Sequence, residues 1–323
     1  MSGKKLFILV SLFVGIPLFA YTLTTINPEH ARAIIQRIRI DYLGAYLLFS
    51  VVNLIIFSLV WRLFLQHESP HFTLPHLTLF NYRMTGFALS YVTPGPRLGG
   101  EPTRGALVSN QTNITKEDGT KSALMDDLAM FIGGLVFDTI AVILAFFVLP
   151  DDWIIKLALG GLVATGAIIF VGWYAFVIHG GIQNLLCALA RQVGLDTYTN
   201  TKSGQTQTYL HKRTSTLIHA SVLGLCTKLV MAIQLYVLLA GLQSPISFLS
   251  AVFLAAAIDI AYVIPSYMGV GALEASQAGV VRLIGMSSGL GVLVAFITRI
   301  RDILFSGYGL LALSYYTSDQ LKS

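Results

Sequence analysis

The chain has 323 residues, of which 55% are apolar and 11% charged, with a formal net charge of +5. A soluble protein of this length carries about 25% charged residues, so 21 lysines and arginines with 16 aspartates and glutamates exclude a water-soluble globular fold. A mean hydropathy of +0.72 fits several bilayer-crossing helices instead, and the basic excess, lying in short connections, sets topology and calls for no nucleic acid.

Residues 6–26 form an uncharged run of 21 after Lys4 and Lys5, with no small-x-small cleavage site, which predicts an uncleaved first span. Residues 28–41 place Ile34, Ile35 and Ile38 on one face and Arg32, Arg37 and Arg39 off it, as expected of a helix lying in the interface. A second span is expected at about 43–65, with Arg62 reaching toward the headgroups. Residues 77–92 supply only about 24 Å of helix against a hydrocarbon core of about 30 Å, so this segment enters the membrane without crossing it. The stretch 94–104 holds Pro94, Pro96 and Pro102 with Gly95, Gly99 and Gly100, and is expected to break the helix throughout. A short segment at 105–109 completes a first hairpin, about 77–109.

Residues 110–121 read as a hydrophilic loop, 124–149 as a span carrying Asp126, Asp127 and Asp138, and 153–178 as the next span. The longest polar connection, about 179–213, holds Arg191, Lys202, Lys212 and Arg213 against Asp196, which puts it in the cytoplasm together with the N-terminus. Spans follow at 217–242, with Lys228 near the middle, and at 246–264, with Asp259. Pro265, Gly269, Gly271 and Glu274 repeat in outline the earlier order of proline, glycines and glutamate, and open a second hairpin at about 265–284. A last helix, about 289–316, carries Arg299, Arg301 and Asp302. The expected fold is therefore all-α: one polytopic membrane domain over 1–323, with two re-entrant hairpins and an internal repeat for which inverted symmetry is open.

Irregular backbone at membrane depth survives only where protein buries it or it lines an aqueous cavity. A polar cavity between the two hairpins is therefore expected. Its candidate substrate-binding residues are Arg97, Gly99, Gly100, Glu101, Arg104, Asp259, Glu274, Arg299 and Arg301. Arginines and helix N-termini suit a phosphate, and carboxylates suit a cationic group or a coupled proton. The proton-coupling candidates are Glu101, Glu274, Asp259, Asp126 and Asp127. Against this stands the plainer reading, in which intramembrane charges are ion pairs that stitch helices together. His67, His71 and His76 with Glu68 sit among Pro70 and Pro75 in a surface loop, so no metal is expected, and no cofactor. Cys187 and Cys226 read as packing residues. There is no Walker-type Gly-x-x-x-x-Gly-Lys-Ser/Thr, no nucleophile elbow and no metalloprotease helix, so neither ATP hydrolysis nor another enzyme activity is expected.

The segments 94–104, with Gly-Gly-Glu-Pro-Thr-Arg at 99–104, and 265–274, followed by Gly285 and Arg299, resemble the lysylphosphatidylglycerol synthase transmembrane-region family, the flippase-like domain of multiple peptide resistance factors. The resemblance covers nearly the whole chain. It implies a helical membrane domain with re-entrant hairpins that moves lipids between leaflets, in fused members aminoacylated phosphatidylglycerol. Family members often carry Glu-Arg where this chain has Asp126-Asp127, and the second hairpin reads Met-Gly-Val-Gly-Ala-Leu-Glu instead of a proline-glycine-glycine version. The sequence ends at Ser323, so lysyl-lipid synthesis is not expected of it.

The function expected is a lipid translocase, flippase or scramblase, in the plasma membrane. Its partner would be an anionic or aminoacylated phospholipid or a polyprenyl-phosphate-linked sugar, its headgroup held by Arg97, Arg104 and Arg299 with Glu101, Glu274 and Asp259. The alternatives are a membrane-embedded transferase or hydrolase acting on a lipid-linked phosphate, and a non-transporting subunit that docks a soluble synthase through 183–213. Small-residue faces such as Gly133-Gly134 serve packing within a chain or in a homo-oligomer alike.

Overall fold

The computed structural model describes residues 38–69, 72–92, 100–148, 214–263 and 270–320. The expected first span, the interfacial piece before residue 38, the span 153–178, the connection 179–213, and Arg97, Gly99, His71 and Cys187 lie outside them. The described residues are helical without a strand and form eight helices: α1 Ile40–Glu68, α2 His76–Val92, α3 Glu101–Gln111, α4 Lys116–Val148, α5 Thr214–Gly241, α6 Phe248–Val263, α7 Ala272–Leu283 and α8 Ser288–Gln320. Among these, α1, α4 and α5 are long and apolar enough to cross a membrane.

Three sequence expectations require correction. The break expected to run through residue 104 ends at Gly100, because Pro102 occupies the first turn of α3, where a missing N–H breaks no helical hydrogen bond. Likewise α7 begins at Ala272 and contains Glu274, whose Oε2 accepts from the Gly271 N–H at 2.9 Å and so caps the helix start. Gly271 has φ +79°, a conformation that a β-carbon would strain. The hydrophilic loop expected at 110–121 shrinks to four residues, since α4 starts at Lys116, where Glu117 and Asp118 complement the helix dipole.

The eight helices are two copies of one unit. Helices of 29, 17, 11 and 33 residues in α1 to α4 are matched by 28, 16, 12 and 33 in α5 to α8. His76 corresponds to Phe248 and Lys116 to Ser288, each with a shift of 172 positions. The same shift carries Gly119 onto Gly291. Gly119 lies against Gly105 of α3, and Gly291 against the backbone of Gln277 and Ala278 in α7, so both copies close their short helix onto their long one through a glycine.

The copies are inverted relative to each other. At one end of the α1/α5 pair the Arg39 N–H donates to the Gly241 carbonyl at 3.1 Å, so the start of α1 meets the end of α5. At the other end Val60 and Phe64 share a core cluster with Ala220 and Leu217. Equivalent helices therefore run antiparallel, as a pseudo-two-fold axis in the membrane plane requires. The largest core cluster fills the space between α1, α4, α5, α6, α7 and α8, where the alanines of α6, including Ala255, Ala256 and Ala261, admit close approach.

Helix α2 is held by backbone proximity at two places. A β-carbon on Gly100 would collide with the Gly86 carbonyl, and one on Gly309 with the Met84 carbonyl. Gly100→Ala is expected to destabilise the protein by about 1–3 kcal/mol, as overpacking does when backbone must move. Gly44→Ala, with nothing within 4 Å, serves as the unaffected control. Thermal unfolding in detergent checks the difference.

Candidate functional site

Among the described residues most of the charges lie on α2, α3, α4 and α8, and those at membrane depth must find one another. Three clusters result. In the first, Arg104 of α3 donates to Asp126 Oδ2 at 2.7 Å, to Asp127 Oδ2 at 2.6 Å and to the Ala123 carbonyl at 3.1 Å, all on α4. Arg83 of α2 pairs with the same Asp126 and lies 3.5 Å from Asp127. Arg104 is stacked over Trp61 and Arg83 over Phe57, so aromatic faces of α1 back both guanidinium groups. Asp126 is fully buried and Arg104 only 3% exposed.

Beside this cluster is a cleft of about 120 Å³ bordered by Arg83, Ser90, Tyr91, Glu101, Arg104 and Asp127. Its walls are α2, α3 and α4. The α3 N-terminus is turned inward, but its N-cap N–H, that of Gly100, is already held by Ser90 Oγ at 3.0 Å. The volume falls short of the about 300–1,000 Å³ of a pocket for a drug-sized ligand.

The second cluster belongs to the other hairpin. Glu274 of α7, with no exposed surface, accepts from Arg299 Nε and from Arg299 NH2 at 2.9 Å. Next to it on α8, Arg301 donates to Asp302 at 2.7 Å and lies over the Tyr46 ring, while the Tyr46 hydroxyl is 3.5 Å from Thr298 Oγ1. The third cluster joins Lys228 of α5 to Asp259 of α6 at 2.6 Å, with Asp138 of α4 nearby.

The nine residues expected in one cavity are thus distributed. Glu101, Gly100 and Arg104 stand at the first cleft, Glu274, Arg299 and Arg301 in the second cluster, and Asp259 in the third, while Arg97 and Gly99 lie outside the described residues. Helix α1 gives the spacing: the first cluster touches Phe57 and Trp61, the second Tyr46, an offset of about 16–22 Å at 1.5 Å per residue. The inverted hairpins therefore carry their ion clusters at different levels along α1. Arg83 is a residue of the first cluster that the sequence does not single out as a site residue, since it stands as one arginine in an apolar-leaning segment; its place near the middle of α2 is the available signal.

The family model described as the lysylphosphatidylglycerol synthase TM region matches residues 8–307, both hairpins included. The chain belongs to the lysylphosphatidylglycerol synthase TM-region family. No curated protein and no solved structure matches it. Membership in the family gives this membrane protein a lipid-related role, and the charge reversal between its hairpins is where this member can be read in more detail. Asp127 and Arg299 correspond by the 172-residue shift. In the first hairpin the short helix supplies the cation and the long helix the carboxylate, and in the second hairpin the roles are exchanged.

Among the described residues no group of three His, Cys, Asp or Glu is placed to hold a metal ion.

Proposed function

We propose that this family member is a lipid translocase that passes a polar headgroup from one leaflet to the other along its hairpins while the tails stay in the bilayer. The observation that carries the proposal is the cleft at Glu101 and Arg104, a polar recess within one half of an inverted repeat whose other half has a counterpart cluster at a different level along α1. Inverted repeats with broken helices suit alternating access, because rocking one half against the other exposes the same polar groups to each leaflet in turn. Lys4 and Lys5 ahead of the first expected span, and the basic connection 179–213, support a cytoplasmic N-terminus under the positive-inside rule.

The charge count refines the headgroup. Around the cleft, Arg83 and Arg104 face Glu101, Asp126 and Asp127, so the carboxylates outnumber the guanidinium groups by one. Both arginines are already engaged by aspartates, and Glu101 lies against Asp127. A headgroup bearing an amine balances this recess better than a bare phosphate does, which favours an aminoacyl or amine-bearing phospholipid over a polyprenyl phosphate.

The test is leaflet exchange of fluorescently labelled phosphatidylethanolamine and phosphatidylglycerol in vesicles holding the purified protein, read with a membrane-impermeant quencher. Exchange of the amine lipid is expected to exceed that of protein-free vesicles and to fall about tenfold in Glu101→Gln, equivalent to about 1.4 kcal/mol of lost stabilisation. A native rate equal to that of protein-free vesicles overturns the function. Faster exchange of phosphatidylglycerol overturns the headgroup assignment.

A further inference from the structure

We propose that Asp138, Lys228 and Asp259 form a proton-binding site at the centre of the bilayer, with Asp138 as the carboxylate that takes the proton. Three helices assemble it. Lys228 Nζ on α5 donates to Asp259 Oδ1 on α6 at 2.6 Å, and Asp138 on α4 interacts electrostatically with both. Gly134 lies one helical turn before Asp138 and so on the same face. A β-carbon at Gly134 would sit 3.1 Å from Lys228 Cε and 3.9 Å from Asp259 Oδ2. The lysine thus crosses α4 at a glycine, a turn away from the second carboxylate. Lys228 stands at the middle of the 28-residue α5, about 20 Å from either end.

The site has two carboxylates for one ammonium. An ionised group without a counter-charge at that depth is strongly disfavoured, and a proton added to one carboxylate oxygen restores neutrality. Asp259 is the carboxylate held by the ammonium, which leaves Asp138 to accept. Asp138 Oδ1 and Asp259 Oδ2 have no hydrogen-bond partner among the described residues, so the resulting carboxylic O–H has an acceptor available across the site.

No other charge competes for the site. Helix α1, also packed on α4, carries its charges near its ends, at Asp41, Arg62 and Glu68, and Arg62 donates to the Leu74 carbonyl. Asp259 is the one charged residue of α6. On α5 the other titratable side chain of this kind is His219, more than two turns away and exposed. On α7, which packs against α6, Glu274 is bound by Arg299 and Arg282 lies in the last turn. The next charge back along α4, Asp127, belongs to Arg104. Because α6 is the first helix of the second hairpin, the proton alters how that hairpin is held against α4 and α5.

Infrared spectroscopy of the full-length protein in lipid nanodiscs tests the site without requiring any transport. In Glu101→Gln, which removes the excess carboxylate of the first cluster, the protein is expected at neutral pH to show the C=O stretch of a protonated carboxyl that adding Asp138→Asn removes; the remaining changes are read in the same background. Asp259→Asn should also remove it, because Lys228 then turns to an ionised Asp138. Lys228→Met should about double it, since both carboxylates then need a proton. Asp138→Glu, expected to fold and to shift the band, guards against loss through misfolding. Absence of the band from Glu101→Gln, its persistence once Asp138→Asn is added, or its displacement by sodium ions overturns the proposal.

Discussion

Replacing Arg104 with methionine is expected to destabilise the protein by about 3–5 kcal/mol, the range for breaking a buried ion pair by removing one partner. The size follows from what the guanidinium leaves behind. Asp126 has no exposed surface and cannot recover its lost hydration. The Ala123 carbonyl loses a donor, and the face of Trp61 loses its cation. Arg83 still pairs with Asp126, which keeps the loss from exceeding that range. Arg104→Lys should recover less than half, because one compact ammonium cannot reproduce a fork that reaches Asp126, Asp127 and a carbonyl together. Thermal unfolding followed by the monodisperse fraction in detergent reads the effect. Melting of Arg104→Met at the native temperature would mean that the cluster is hydrated and contributes nothing to holding α3 on α4.

What the sequence makes legible is the part that depends on local chemistry. The 16 apolar-leaning residues before Pro94 are too few to cross a bilayer, and prolines with glycines announce each break, so both hairpins can be drawn from the chain alone. Helix starts were harder, because Pro102 reads as a breaker until it is placed in a first turn, and Glu274 reads as a binding residue until it is seen to cap Gly271. The pairing of charges was not legible. Arg104 finds its aspartates 22 and 23 residues later, across a packing contact set by Gly105 and Gly119, and nothing local encodes that contact. The repeat was glimpsed through the wrong residues. Glu101 and Glu274 look alike in the motif, yet by the shift of 172 positions Glu101 matches Leu273. The true counterparts, Asp127 and Arg299, have opposite charge and hide from a search for similarity.

That reversal leads to the second large effect. Glu274→Gln and Arg299→Met are each expected to destabilise the protein by about 3–5 kcal/mol, since either leaves a partner charged inside the membrane domain. The double variant Glu274→Arg with Arg299→Asp gives the second hairpin the polarity of the first, with the cation on the short helix and the carboxylate on the long one. It should regain most of the loss suffered by the single changes, measured as a double-mutant cycle on thermal unfolding. Recovery should stop about 1 kcal/mol short of native, the usual contribution of an N-terminal cap. Arginine at position 274 cannot accept from the Gly271 N–H, which Glu274 Oε2 now does at 2.9 Å. In the first hairpin the cation, Arg104, stands one residue further from its N-cap than Glu274 does, and the N-cap N–H goes to Ser90 instead. A double variant no more stable than its worse parent would show that the two hairpins do not share one architecture at this pair, and that their charge reversal is coincidental.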